Sequence, residues 1–111
     1  MTEPTELLHG TLDVLILKTL AWGPRHGYAI AQWIESSSAD ALRIEQGSLY
    51  PALYRLERKG WIEAEWGLSD TKRQVKVYRL TEAGRERLET ETAKWRRYAD
   101  AVGAILLAPT A

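Results

Sequence analysis

The sequence contains no cysteine. That excludes disulfides, thiolate nucleophiles and cysteine-ligated metal together. Its two histidines, His9 and His26, are not spaced as a ligand pair on one helix, and no acid cluster completes a metal site beside them. Structural or capping roles suit them better. No glycine-rich phosphate loop is present, and nothing marks a nucleophile with its base. Neither an enzyme nor a bound cofactor is therefore expected. Long apolar runs are also missing: Asp13, Lys18 and Arg25 interrupt the longest stretches, so no membrane partner is expected. Met1–Glu6 carries two acids and no base, unlike the start of a secretory leader. These absences lead to the expectation of a cytoplasmic protein.

What is there is an ordinary globular composition over 111 residues, 45% hydrophobic and 27% charged, which suggests one domain. The formal net charge is zero, and read globally that counts against a nucleic-acid binder. The distribution is more informative. Residues 1–40 hold two bases against five acids, residues 41–80 hold eight against five, and the remainder balances. Lys72–Arg79 contains four bases and no acid.

Leu8, Leu12, Leu15, Ile16 and Leu20 fall on one face of a helix predicted from Thr11 to Trp22. Thr11 is its expected N-cap, and Gly23-Pro24 its stop. A short helix follows over Gly27–Ser36, with Tyr28, Ala31 and Ile34 at three-residue spacing. A third is expected from Ser48, as cap, to Gly60, with Pro51 in the first turn. Leu49, Leu53 and Leu56 form its buried stripe. The opposite face holds Pro51, Tyr54, Arg55 and Arg58 and is basic and aromatic.

The period then changes to two. Ile62, Ala64 and Trp66 alternate with Trp61, Glu63 and Glu65, and a second alternating run covers Val75–Leu80. A polar loop, Gly67–Gln74, joins them into a hairpin. Thr81 caps a long last helix with Glu82 in its first turn. Along it, Leu88, Thr92, Trp95, Ala99, Val102 and Leu106 recur at spacings of four and three, a heptad seam. A second copy of the chain is its simplest partner. The fold class is mainly α with a small β-hairpin (α+β): a winged helix-turn-helix over residues 1–81 with a dimerisation helix over 82–111, as one compact unit.

Three stretches carry a resemblance to a known family. Gly10-Thr11-Leu12 leads through a leucine-rich helix to Gly23-Pro24-Arg25-His26-Gly27-Tyr28. Gly47-Ser48-Leu49-Tyr50-Pro51-Ala52-Leu53-Tyr54-Arg55-Leu56-Glu57 precedes Lys59-Gly60-Trp61-Ile62. Lys76 to Gly84 reads Lys-Val-Tyr-Arg-Leu-Thr-Glu-Ala-Gly. In this order they resemble the PadR family of bacterial transcription regulators. The last helix, with Trp95-Arg96-Arg97, is similar to that of short-tailed members. The resemblance implies a homodimeric repressor on an inverted-repeat operator, with the third helix in the major groove and the hairpin on the backbone or minor groove. Some short members sense small aromatic compounds at the dimer interface, which makes Trp95 the candidate effector-binding residue.

Duplex DNA asks for bases that neutralise phosphate and for side chains that read base edges. Gln46 and Ser48 can hydrogen-bond to either. Gly47 allows close backbone approach, and Pro51 lies beside it at the helix start. Tyr50 and Tyr54 can reach phosphate. The fork of Arg55 can grip a guanine with two bonds. Lys72, Arg73 and Lys76 suit phosphate contacts from the hairpin. Plainer roles stay open: Tyr50 packing on the first helix, Arg55 paired with Glu57 or another acid, the loop bases merely solvated, and Trp95 serving only interface packing. A winged-helix module that binds protein and no nucleic acid is the competing function. A ligand sensor without a DNA role is weaker, because the basic helix is intact.

Overall fold

The computed structural model describes residues 10–110. Leu8, His9 and the Met1–Glu6 segment lie outside the described residues. Four helices and three strands follow in order: α1 (Thr11–Ala21), β1 (Arg25–His26), α2 (Gly27–Ser37), α3 (Gln46–Arg58), β2 (Ile62–Leu68), β3 (Gln74–Leu80) and α4 (Glu82–Leu106). This is an α+β winged helix-turn-helix with a long C-terminal helix, as the sequence pattern predicts.

α1 is the centre of the molecule. It packs against α2, α3, β3 and α4, and Lys18 is its one exposed residue. A helix apolar nearly all round must be covered on all sides. That explains why Leu17 and Thr19 are buried beside Ile16 and Leu20. The Thr19 hydroxyl donates to the Leu15 carbonyl at 2.7 Å, which satisfies it in the interior. Thr11 is not the cap. Gly10 takes that position with φ 85°, and Thr11 is the first helical residue without a side-chain cap bond. Gly23, at φ 143°, turns the chain out of α1 before Pro24.

His26 caps α2: its Nδ1 accepts from the Ala29 amide at 3.3 Å. Gly27, Ile30 and Ile34 face inward. Tyr28, expected on that stripe, is 59% exposed. Ile34 of the predicted spacing is buried and Ala31 packs against the core, but Gly27 and Ile30 take the remaining inward positions. The turn from α2 to α3 is pinned by two side chains. The Glu35 carboxylate accepts from the Ile44 amide at 2.8 Å, and the Ser38 hydroxyl from the Leu42 amide at 3.0 Å.

The sheet has order β1-β3-β2 and is antiparallel throughout. β2 and β3 pair from Ile62↔Leu80 to Leu68↔Gln74, so the strands run beyond the predicted hairpin and leave only residues 69–73 as the turn. Ile62 and Tyr78 enter the core, with Ala64 and Leu80 packed against it. The two-residue β1 pairs Arg25 with Tyr78 and His26 with Val77. It is too short to leave a periodic trace.

Thr81 caps α4, its hydroxyl accepting from the Gly84 amide at 3.0 Å and donating to the Gly60 carbonyl at 2.7 Å. Leu88 packs against the core of its own chain. Beyond it α4 emerges: Trp95, Tyr98, Ile105, Leu106 and Leu107 are all exposed.

Candidate nucleic-acid interface

α3 begins three residues earlier than the sequence suggests. Glu45 occupies the N-cap position, and its carbonyl accepts from the Ser48 and Leu49 amides at 3.0 and 2.9 Å. Ser48 is therefore inside the first turn and is not the cap. The cause lies upstream: Glu35 holds the Ile44 amide, which draws Ile44 into the core and starts the helix immediately after it. Pro51 then falls in the second turn rather than the first. Lacking an N–H, it leaves the exposed Gly47 carbonyl without its helical donor.

Leu49, Ala52, Leu53 and Leu56 are buried as a continuous stripe, as predicted. Burying each leucine contributes about 1.5–3 kcal/mol, which fixes the rotation of α3 about its axis. That rotation exposes Gln46, Gly47, Ser48, Tyr50, Pro51, Tyr54 and Arg55.

These residues do not form one patch. Tyr50 and Tyr54 line a groove of about 890 Å³ between α3, the start of α2 and the hairpin, together with Arg73 and Lys76. Arg55 lies apart from that groove, and its Nη2 donates to Asp13 Oδ1 on α1 at 2.9 Å. The plainer alternative for Arg55, a surface ion pair, is present, with Asp13 as the acid. Glu57 instead approaches Lys76, at 3.9 Å. Tyr50 packs on the start of α2: a Cβ at Gly27 would come within 2.9 Å of its ring. Only glycine lets that ring lie against the helix start.

Lys72 sits in the hairpin turn with φ 62°. The turn is closed by the Ser69 amide donating to the Arg73 carbonyl at 2.9 Å and the Lys72 amide to the Ser69 carbonyl at 2.8 Å. Lys72 and Arg73 have no acid partner among the described residues. Arg79 is neutralised on the outer sheet face by Glu63 at 3.1 Å and Glu65 at 3.9 Å.

Two groove residues escape the sequence reading. Tyr28 and Trp66 line the groove. Trp66 alternates in phase with Ile62 and Ala64, but β2 outruns the core there and leaves it 67% exposed. Arg58 stacks over the Tyr54 ring at 5.7 Å; the helical wheel already puts it on that face. Tyr78, at the groove floor, has its phenol pushed above the usual range by burial, and further by the nearby Glu57 charge and Tyr50.

Among the described residues no cluster of three potential ligands could hold a metal, and no helix is long and apolar enough to cross a membrane.

Comparison with known proteins agrees with this geometry. The model of the transcriptional regulator PadR-like family matches residues 16–90. A PadR family transcriptional regulator from Eggerthella lenta is 34% identical, with TM-score 0.75 over 90% of this chain and 85% of its own. A crystal structure from Streptococcus mutans superposes with TM-score 0.82 at 26% identity, covering 100% of this chain and 98% of that one. A 37.1 kDa protein of transposon Tn4556 from Streptomyces fradiae is 47% identical over 79 residues, which are 71% of this chain and 21% of that protein. The chain thus spans about a fifth of that relative. With its winged fold, exposed α3 face and family match over residues 16–90, the chain belongs to the PadR-like family of transcriptional regulators.

Proposed function

We propose that this chain is a sequence-specific DNA-binding repressor that acts as a homodimer on an inverted-repeat operator. The observation that carries the proposal is the exposed face of α3, from Gln46 to Arg58, set beside a hairpin turn whose Lys72 and Arg73 have no acid partner among the described residues. A helix of this width fits the major groove, and its N-terminal residues lie deepest. Gln46, Gly47, Ser48 and Pro51 occupy that end. Tyr50 and Tyr54 serve phosphate or sugar from the groove side, and Lys72, Arg73 and Lys76 hold the backbone. Arg55 reads a base edge, and Arg55→Ala weakens specific binding by about 1–3 kcal/mol.

The exposed apolar side chains of α4 support pairing with a second copy through Thr92, Trp95, Ala99, Val102 and Leu106, with Leu88 at the core end. Trp95 and Tyr98 lie 6.2 Å apart, ring to ring, and both are more than half exposed. That pair supports Trp95 as the contact for a flat aromatic effector, held by stacking.

One observation favours the competing role of protein recognition. In the groove lining, Arg73 and Lys76 are balanced by Glu57 and Asp70. Titration into fluorescent duplex from the gene's own upstream region, beside a scrambled duplex and at two salt concentrations, separates the two. Specific binding at least about 10³ tighter, with both duplexes weakened by salt, supports the repressor. If that duplex and sites selected from random DNA both fail to bind specifically, the protein-interaction module takes its place.

A further inference from the structure

We infer that Asp13 is a positioning residue for DNA recognition: it anchors the Arg55 guanidinium for one directional contact and restrains it from indiscriminate phosphate binding. This rests on the DNA-binding role proposed above.

Arg55 is the one α3 cation, among the described residues, engaged in an ion pair. Arg58 stacks on Tyr54 instead. The Asp13 side chain is 21% exposed and that of Arg55 52%, so the anchor is the more enclosed partner. Asp13 is the third residue of α1, where the positive end of the helix favours its charge. Its carboxylate is therefore a fixed point on the central helix, and Arg55 is the movable one.

The pair consumes one of the five N–H groups of the guanidinium, by Nη2. The others remain available. An acceptor placed where the tethered fork already points is met without breaking the pair, and with less side-chain freedom to lose. A phosphate elsewhere must pull Arg55 away and leave the Asp13 carboxylate facing an anionic backbone. The same bond that limits Arg55 as a general cation thus sharpens it as a reader.

The test uses the full chain and the tightest duplex selected from random-sequence DNA, beside a scrambled duplex, over a range of salt. Asp13→Ala should tighten scrambled binding and reduce the operator-to-scrambled ratio about three- to tenfold. Its salt dependence on scrambled DNA should steepen by about 0.9 in log–log slope, one added phosphate contact. Asp13→Leu, which keeps a helix-forming side chain of similar size but no acceptor, carries the test if the alanine variant does not fold. In an Arg55→Ala background the Asp13 change should leave the ratio unaltered. An unchanged ratio in a folded Asp13 variant overturns the inference. So does an equal fall in the Arg55→Ala background, which would mean that Asp13 acts as a general surface charge. If the unmodified protein does not discriminate between the duplexes, the DNA-binding role fails and the inference with it. That outcome is distinct, because it is read without any variant.

Discussion

Replacing Gly84 by alanine should destabilise this protein, against the preference of the helix in which it sits. Gly84 is the buried third residue of α4. An added Cβ would lie 2.0 Å from the Trp61 carbonyl oxygen and 2.7 Å from Leu80 Cδ1. The same carbonyl accepts from the Thr81 amide at 3.1 Å. The methyl must therefore push α4 off the base of the hairpin or break that bond. Alanine gains up to about 1 kcal/mol in helix propensity over glycine. Overpacking costs about 1–3 kcal/mol, and stranding a buried carbonyl adds about 1–3. The net loss is about 1–5 kcal/mol once these are combined. At about 4–8 °C per kcal/mol for a domain of this size, the melting temperature should fall by at least about 4 °C. Urea unfolding and calorimetry at one fixed protein concentration measure it, since self-association would shift both. Gly103→Ala is the reference. Its Cβ would meet nothing closer than 3.9 Å, so it should be neutral or stabilising. A Gly84→Ala protein as stable as the parent would refute the steric account.

The remaining expectations concern the groove, its floor and α4. Changing Lys72 and Arg73 together to alanine should weaken operator and scrambled duplex alike and flatten the salt dependence by up to about 0.9 per lost phosphate contact; a loss confined to the operator would contradict their phosphate role. Tyr78 keeps its phenol protonated in the folded state at pH values where the unfolded chain ionises, because its folded pKa is raised. Its contribution is full below about pH 10 and is lost as pH rises above that. Tyr78→Phe should flatten the alkaline fall in stability measured by urea titration, and an unchanged alkaline slope would remove the assignment. Planar aromatic compounds should quench tryptophan emission in the parent more than in Trp95→Ala; equal responses would dismiss Trp95 as an effector contact.

Elements with a strong period were legible in the sequence. The α3 stripe of Leu49, Leu53 and Leu56 gives both the helix and its exposed face, and Thr81 announces α4. What stayed hidden depended on distant partners. The start of α3 is set by Glu35 reaching Ile44 nine residues away, a bond with no local signature. β1 exists only because β3 offers it an edge. Trp66 has the alternation of a core residue, yet nothing in the chain reveals where β2 leaves the core. In the same way, Asp13 and Arg55 are 42 residues apart, so the acid that engages Arg55 could not be chosen from sequence. The exposed face of α3 was therefore readable, but not its division between the groove side and the α1 side.

The contact of Gly84 on Trp61, with Thr81 bonded to Gly60 and Trp61, leaves no slack between α4 and the hairpin. α4 is 25 residues long, about 37 Å at 1.5 Å per residue. It is a lever fixed to the hairpin at one end. In a dimer joined along α4, the crossing of the two levers would set the distance and twist between the hairpins, and neither could adjust alone. Each inserted base pair moves one half-site by about 3.4 Å and rotates it by about a tenth of a turn. Such a dimer would read the spacing of its operator as strictly as the bases themselves.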